Sequence, residues 1–509
     1  MDKIKMLDGE CWWGGKVPSG CDMPFDENSD CTFDIESRDG ENDQSASLFL
    51  SSCGRYIWND NPFAIKFNKG EISLECAYGT DFEIGEGYKN LKGAYLAAAK
   101  KHFSFNGELP DKLFFTSPQY NTWMELGTDQ TTENILNYAR GILENGLPAG
   151  VLMIDGGWQE DYGVLEFHKG KIPDPAYLIY ELHKLGFKVM LWTSPIVSSA
   201  GVRFKYLRSK GYLLKDKDGE IAVRRWWSGF SAMLDFTNPD AVKWFRGQLD
   251  SLVECYGVDG YKFDAGDASI YCRDDDAYVK TAPRNHTTAF NIMGEKYKFN
   301  EFRAAHNSGG RPIVARLHDK NHSWDNIGLN TLIPNTTVQS LLGYAYCCPD
   351  MVGGGMIGSV NSANDTDGEL FIRWSQANAL MPMMQISLAP WRVLSSENYE
   401  IVKKSICLHK EYGEHIYALA QNSAKTGEPI FRNMEYEFPN EGFEHVCDQF
   451  MLGSDIMSAP VLTKGAAKRS VKFRKGERAD KEGNIVSHGG ETKEFDAPID
   501  TLLYFKKVK

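Results

Sequence analysis

The sequence predicts a (β/α)8 barrel of the α/β class, flanked by an N-terminal and a C-terminal all-β sandwich domain. Between residues 113 and 420, short apolar runs alternate with amphipathic helical stretches roughly seven or eight times. Before 113 and after 420 that rhythm is replaced by short alternating segments between Gly, Asn, Asp and charged turns. The third observation is that several of the central runs end in Asp, where a barrel gathers its loops. With 509 residues the chain is too long for one core, and it divides by these signals into 1–112, 113–420 and 421–509.

In chain order, 47–50, 56–58, 63–67 and 72–76 read as strands of the first domain. The run C-W-W-G-G at 11–15 sets two Trp beside two Gly, and reads either as a packing anchor or as a loop reaching over a pocket. The barrel rhythm then runs through a strand at 150–154 ending in D-G-G-W, a helix at 174–185 closed by Gly186, and strands at 188–192 and 232–236. A helix at 239–255 leads to a strand at 260–263. After it come a helix near 300–305, a strand at 312–317, a short strand near 332, a helix at 336–342 and a strand at 346–351. A helix at 368–381, a strand at 383–387 and a helix at 397–419 complete the unit. A doubly wound sheet would share this alternation, but its first turn needs G-x-G-x-x-G, and D-G-G-W is not that. Strands at 449–452, 456–461, 470–473 and 501–505 make the last domain.

Apolar residues at 42% and charged ones at 25% describe an ordinary soluble globular protein. Lys and Arg number 56 against 69 Asp and Glu, a balance of −13 with no basic run, which argues against nucleic acid, an anionic membrane or a polyanionic substrate. The 11 cysteines are odd in number and lack a C-x-x-C spacing, so free thiols are expected rather than a disulfide framework or zinc ribbon. With no apolar leader at residues 1–10 and no long apolar run, the expected compartment is the cytoplasm. Association into a homo-oligomer stays open.

Residues just after the barrel strands are the candidates for chemistry. They are Asp155 with Trp158, Trp192, Asp235, Asp264 with Asp267, Arg316 with Asp319, Asp350, and Trp391 with Arg392. Asp155 and Asp235 could equally cap helices. In V-D-G-Y-K-F-D-A-G-D at 258–267, Lys262 and Asp264 share one strand face, and an inward charge must be paired. Asp264 therefore reads as a catalytic carboxylate kept ionised by Lys262. Two carboxylates at a barrel mouth with aromatics and an Arg fit glycoside hydrolysis, one attacking the anomeric carbon and one protonating the leaving oxygen. A rival reading is a divalent metal held by His318, Asp319 and His322, which has no third ligand cluster to complete it.

These residues resemble glycoside hydrolase family 31, the retaining α-glycosidases, over nearly the whole chain. The likeness rests on Y-K-F-D-A-G-D at 261–267, R-L-H-D-K-N-H-S-W at 316–324, C-P-D-M-V-G-G-G at 348–355, I-R-W at 372–374 and M-Q-I-S-L-A-P-W-R at 384–392. Within the family it is similar to the branch of bacterial α-galactosidases and the myogenesis-regulating glycosidase. The resemblance implies Asp264 as nucleophile and Asp319 as general acid/base, with Asp155, Trp192, Arg316 and Asp350 around the first sugar; Trp158, Lys262 and Trp391, on or beside the strand ends, are expected to join them as substrate contacts. It also implies Trp12 or Trp13 on a closing loop, a small carbohydrate or glycoside as substrate, and no metal or organic cofactor. Two departures stand out. Family α-glucosidases separate the strand-end Arg from the acid/base Asp by well over ten residues, whereas Arg316 and Asp319 are three apart, which makes Asp325 a second candidate. They also carry an R-N-H-like segment where this chain has Ser387, Leu388 and Ala389, which tilts the expected sugar from glucose to galactose. The alternatives are an α-glucosidase or α-xylosidase, a sugar-binding protein that has lost catalysis, and a metal-dependent hydrolase.

Overall fold

The computed structural model describes residues 2–37, 43–79 and 81–508. Eight parallel strands line a central barrel: β1 (Gln119–Asn121), β2 (Val151–Ile154), β3 (Lys188–Thr193), β4 (Gly260–Phe263), β5 (Phe299–Phe302), β6 (Val314–Arg316), β7 (Cys347–Cys348) and β8 (Gln385–Ile386). They pair in sequence from β1 to β7, with β8 beside β1. A parallel bridge between Met351 and Gln385, and a 2.8 Å bond from the Val352 N–H to the Gln385 carbonyl, bring β7 and β8 together. Strands such as β2, V-L-M-I, are buried on both faces, as parallel strands under a helical layer must be. Local chemistry starts and stops the helices between them: Asp174 caps the helix Pro175–Lys184 through the Tyr177 N–H, and Gly257, at φ 78°, ends Pro239–Tyr256.

Four elements differ from the sequence expectation. Residues 299–302 form β5 instead of a helix, because pairing with β4 and β6 on both sides overrides the helix-forming Glu, Arg and Ala of N-E-F-R-A-A. The helix before it is Pro283–Gly294, in a stretch that reads as loop. Gly229–Met233 is a strand but not a barrel strand; it pairs antiparallel with Ile196–Ser198 and Arg224–Trp226, among the loops at the C-terminal ends of the barrel strands. Near residue 332 the chain is helical, Leu332–Leu341, after a 3-10 turn at Leu329–Thr331.

The first domain packs a four-stranded antiparallel sheet against a second sheet built on Gln44–Ser51. Phe33 and Phe67 from one sheet meet Phe49 from the other at ring distances of 5.6 and 6.3 Å. A helix at Leu91–His102, capped by Asn90, adds to this otherwise β domain. Gln44–Ser51 also pairs in parallel with Ala305–His306, just beyond β5, so the sandwich is stitched to the barrel mouth. The last domain has a six-stranded sheet, a two-stranded ribbon at Lys468–Lys472 and Thr492–Asp496, and its own core including Met451, Phe473 and Phe505. Among the described residues no helix is long and apolar enough to cross a membrane, and all eleven cysteines are free thiols.

Candidate active site

The strand β4 ends at Phe263, and the next residue, Asp264, enters a cleft of about 450 Å3 at the C-terminal ends of the strands. Its Oδ2 accepts a 2.9 Å bond from the Trp192 indole N–H, and its Oδ1 accepts from Arg303 Nε at 2.7 Å and from the Ala265 N–H at 2.7 Å. Burial pushes the Asp264 carboxyl up, but Arg303, then Lys262 and Arg316, outweigh it and hold the group far below the usual carboxylate range. Ala265 takes φ 53°, a conformation costly for a residue with a Cβ, and this turn aims Asp264 into the cleft.

The direct partner of Lys262 is not Asp264 but Asp155, at 2.6 Å with both side chains buried. Lys262 is thus held charged by Asp155 despite burial and acts on Asp264 through space. Arg303 is the cation that touches Asp264, and its two Nη atoms also fork onto the Asp267 carboxylate at 2.8 Å each. The sequence does not single out Arg303, because its segment has the composition of a helix; β5 ends at Phe302, which places Arg303 just past a barrel strand end.

Behind this row, Arg316 lies fully buried at the end of β6. It donates to Asp319 at 2.8 Å and to Asp350 at 2.7 Å, and its Nε stands 3.2 Å from Glu301. Asp350, at φ 74°, also accepts from the Lys320 and Gly355 N–H groups. A Cβ on Gly355 would lie 2.9 Å from Asp350 Oδ1 and 3.2 Å from Asp319 Oδ1, so only glycine lets the chain pass this close to both acids. Burial, with Asp319 nearby, pushes Asp350 up. Asp319 itself is about one-third exposed, its side chain at 32%, and opens onto the cleft.

The cleft therefore brings together Asp155, Trp192, Lys262, Asp264 and Asp319, with Arg316 and Asp350 orienting Asp319 from behind. Three other expected residues are not there. Trp13 is buried in the strand Trp12–Lys16, paired with Leu50, so the two Trp anchor the first sandwich instead of closing over the site. Trp158 is fully buried, its indole N–H donating to the Trp192 carbonyl, and it supports Trp192 from beneath. Trp391 stacks on Tyr138 at 6.1 Å on the helical layer. Its neighbour Arg392 forks onto Glu125, which steadies the short helix Trp123–Leu126. Asp235 serves a turn, accepting from Thr237 and the Tyr278 N–H. Asp325 is exposed and accepts from Ser323 and the Ile327 N–H within its own loop.

Two rings of the aromatic wall, Trp123 and Trp227, are not among the residues the sequence singles out, whereas the third, Trp192, is. Trp123, just beyond β1, and Trp227, on the hairpin tip between Arg224–Trp226 and Gly229–Met233, face each other at 6.5 Å, and Trp227 stands 6.4 Å from Trp192. The only sequence signal was R-R-W-W-S-G-F, paired aromatics before a turn glycine. The metal reading does not fit the side chains: His322 Nδ1 faces the Gly353 carbonyl at 2.7 Å and its Nε2 accepts from the Asp367 N–H at 2.9 Å, leaving no nitrogen for a ligand bond. His318 is likewise spanned, by Asp43 at 2.6 Å and Lys320 at 2.9 Å.

The Glycosyl hydrolases family 31 TIM-barrel domain matches residues 117–419, and the Glycosyl hydrolase family 31 C-terminal domain matches 427–507. The chain belongs to glycoside hydrolase family 31. Among curated family relatives, it is 31% identical over 453 residues to the myogenesis-regulating glycosidase of Mus musculus, covering 86% of this chain and 61% of the mouse protein. It is 27% identical over 417 residues to Alpha-glucosidase 2 of Bacillus thermoamyloliquefaciens, covering 74% of this chain and 51% of that one. The chain thus spans between about half and two-thirds of the length of these relatives. The fold is shared with the family 31 dextranase of Flavobacterium johnsoniae complexed with glucose, at TM-score 0.86 and 20% identity over 99% of this chain and 66% of that one.

Proposed function

We propose that the cleft is the active site of a retaining, exo-acting α-glycosidase, with Asp264 as nucleophile and Asp319 as general acid/base. The observation that carries this is the contrast between two carboxyls of one cleft: Asp264 is ringed by Arg303, Lys262 and Arg316 and held ionised, whereas Asp319 is partly open to solvent. In the first step Asp264 Oδ attacks the anomeric carbon as the glycosidic bond breaks, and Asp319 gives its proton to the departing oxygen. In the second, Asp319 takes a proton from water, whose oxygen displaces Asp264 and restores the starting configuration. Asp155 and the Trp192, Trp123 and Trp227 rings are the groups that would grip sugar hydroxyls and ring faces.

For the sugar, a terminal α-linked galactose is the reading we adopt. It is supported by the end of β8, where Ser387 is buried with its hydroxyl accepting from the Met124 N–H, so no imidazole reaches the sugar from there. An α-glucosidase is the alternative, supported by the 27% identity to the Bacillus enzyme, and an α-xylosidase would need the same scaffold. A sugar-binding protein without turnover is the reading from another class. Initial rates on aryl α-galactoside, α-glucoside, α-xyloside and β-galactoside separate them. The expected result is preference for the α-galactoside, with Asp264→Ala lowering kcat at least about a thousandfold. Preference for glucose or xylose overturns the sugar, and full activity of Asp264→Ala overturns the mechanism.

A further inference from the structure

The loop after β7 runs from Gly353 to Asp367 with no helix or strand of its own, and it carries Met356 and Ile357 on the cleft wall. Its first turn lies along the chain at 319–322. The Met356 N–H donates to the Lys320 carbonyl at 3.0 Å, the Gly355 N–H donates to Asp350 Oδ2 at 3.2 Å, and a Cβ on Gly354 would stand 2.6 Å from the Lys320 carbonyl oxygen. Asp319 is thus held between Arg316 behind it and Gly355 of this turn beside it. A loop without internal structure keeps such a path only if its ends are fixed.

One imidazole fixes both ends. His322, half-buried on the loop after β6, meets the Gly353 carbonyl with Nδ1 at 2.7 Å and the Asp367 N–H with Nε2 at 2.9 Å. A carbonyl can only accept and an N–H can only donate, so the ring must be neutral with its proton on Nδ1. Asp367 is itself anchored from three sides. It caps the helix Gly368–Asn378 through the Leu370 N–H, and its Oδ2 accepts from the Trp324 indole at 3.1 Å and from Lys464 of the last domain at 2.8 Å. His322 ties the start of the loop to this post.

We infer, on the strength of the active-site reading above, that His322 is a positioning residue for Asp319, acting through the loop after β7, and that a proton on its Nε2 releases that loop. A protonated ring would set N–H against N–H at 2.9 Å, and the tie to Asp367 would break. The charged group that bears on the ring is Asp367, already paired with Lys464. Burial outweighs it and the Gly353 carbonyl, and holds the imidazole below its usual value near 6.5. The tie is therefore closed at neutral pH and opens as pH falls below that value, in a range where Asp264 is still ionised.

The test compares two substrates of the sugar the enzyme prefers: its α-glycosyl fluoride, whose leaving group departs without a proton, and its methyl α-glycoside, whose leaving group needs one. His322→Leu cannot join the two ends, and is expected to lower kcat on the methyl glycoside by about tenfold or more and on the fluoride by less than about threefold. His322→Gln keeps one donor and one acceptor and does not titrate. It is expected to match the wild type at neutral pH and to exceed it on the methyl glycoside by about threefold in acid. The ring gives a readout apart from catalysis: long-range proton to nitrogen NMR spectra of histidine-labelled wild type, with His322→Gln to assign the signal, are expected to show a neutral ring protonated on Nδ1 at neutral pH. A ring charged or protonated on Nε2 at neutral pH, losses in His322→Leu that are absent or equal for both substrates, or a Gln variant that follows the wild type into acid overturns the inference and leaves the active site standing. Failure of the wild type to hydrolyse any α-glycosyl fluoride overturns both.

Discussion

Arg303 carries more of the site's electrostatics than any residue the sequence singled out. Among the described residues it is the one cation in hydrogen-bond contact with both Asp264 and Asp267, and its side chain is 15% exposed. Because Asp264 is held below its unfolded value, near 3.9, its ion pairs add stability that is fully present above that pH and is lost as pH falls toward the folded value. Asp264 therefore stays ionised across the neutral and mildly acidic range. Arg303→Gln removes the strongest lowering influence, so the Asp264 pKa rises and the acid limb of the pH–rate profile moves to higher pH. Arg303→Lys keeps the charge without the fork, and its acid limb is expected to lie between those of wild type and Gln. An acid limb that does not move in Arg303→Gln would show that Asp264 is not governed by this cation. Two buried carboxylates without their cation also cost about 3–5 kcal/mol, which denaturant melts of the Gln variant would read.

At the scale of elements, β4 depends on a glycine that pattern reading treats as incidental. A Cβ on Gly260 would lie 1.8 Å from the Phe299 carbonyl oxygen, on the neighbouring barrel strand. Gly260→Ala is expected to lose about 3 kcal/mol of stability, because backbone in the middle of a barrel has nowhere to move. Its Tm would fall well below that of Gly247→Ala, where nothing lies within 4 Å of the new Cβ. Equal melting of the two variants would mean that the barrel yields at β4. The apolar strands β2, β3 and β4 were legible because a strand buried on both faces leaves a dense apolar run. β5 was not, since Glu301 and Asn300 are polar groups made tolerable only by tertiary partners: Gln385 and Arg316 for the former, the Tyr297 and Pro312 carbonyls for the latter. The same blindness hid Arg303, one residue beyond.

Across the whole molecule, the first sandwich and the barrel share hydrogen bonds that neither could satisfy alone. Gln44 donates to the Arg316 carbonyl at 2.8 Å and accepts from Gln339 at 2.8 Å, Tyr344 donates to the Ser45 carbonyl, and Arg284 donates to the Ser45 hydroxyl. These buried pairs predict one cooperative unfolding transition for residues 2–420, so that tryptophan fluorescence and far-UV circular dichroism follow the same urea curve. A separate early transition of the first domain would contradict it. The sequence by itself determined the fold class, the family and the carboxylates at the strand ends, because strand and helix periodicities and a strand-end Asp are local features of the chain. Tertiary structure alone decided which groups meet. It gave Lys262 to Asp155 and Arg303 to Asp264, sent Trp13, Trp158 and Trp391 away from the cleft and brought Trp123 and Trp227 into it. Those pairings join residues far apart in the chain, where burial and charge, with no sequence periodicity to announce them, select the partner.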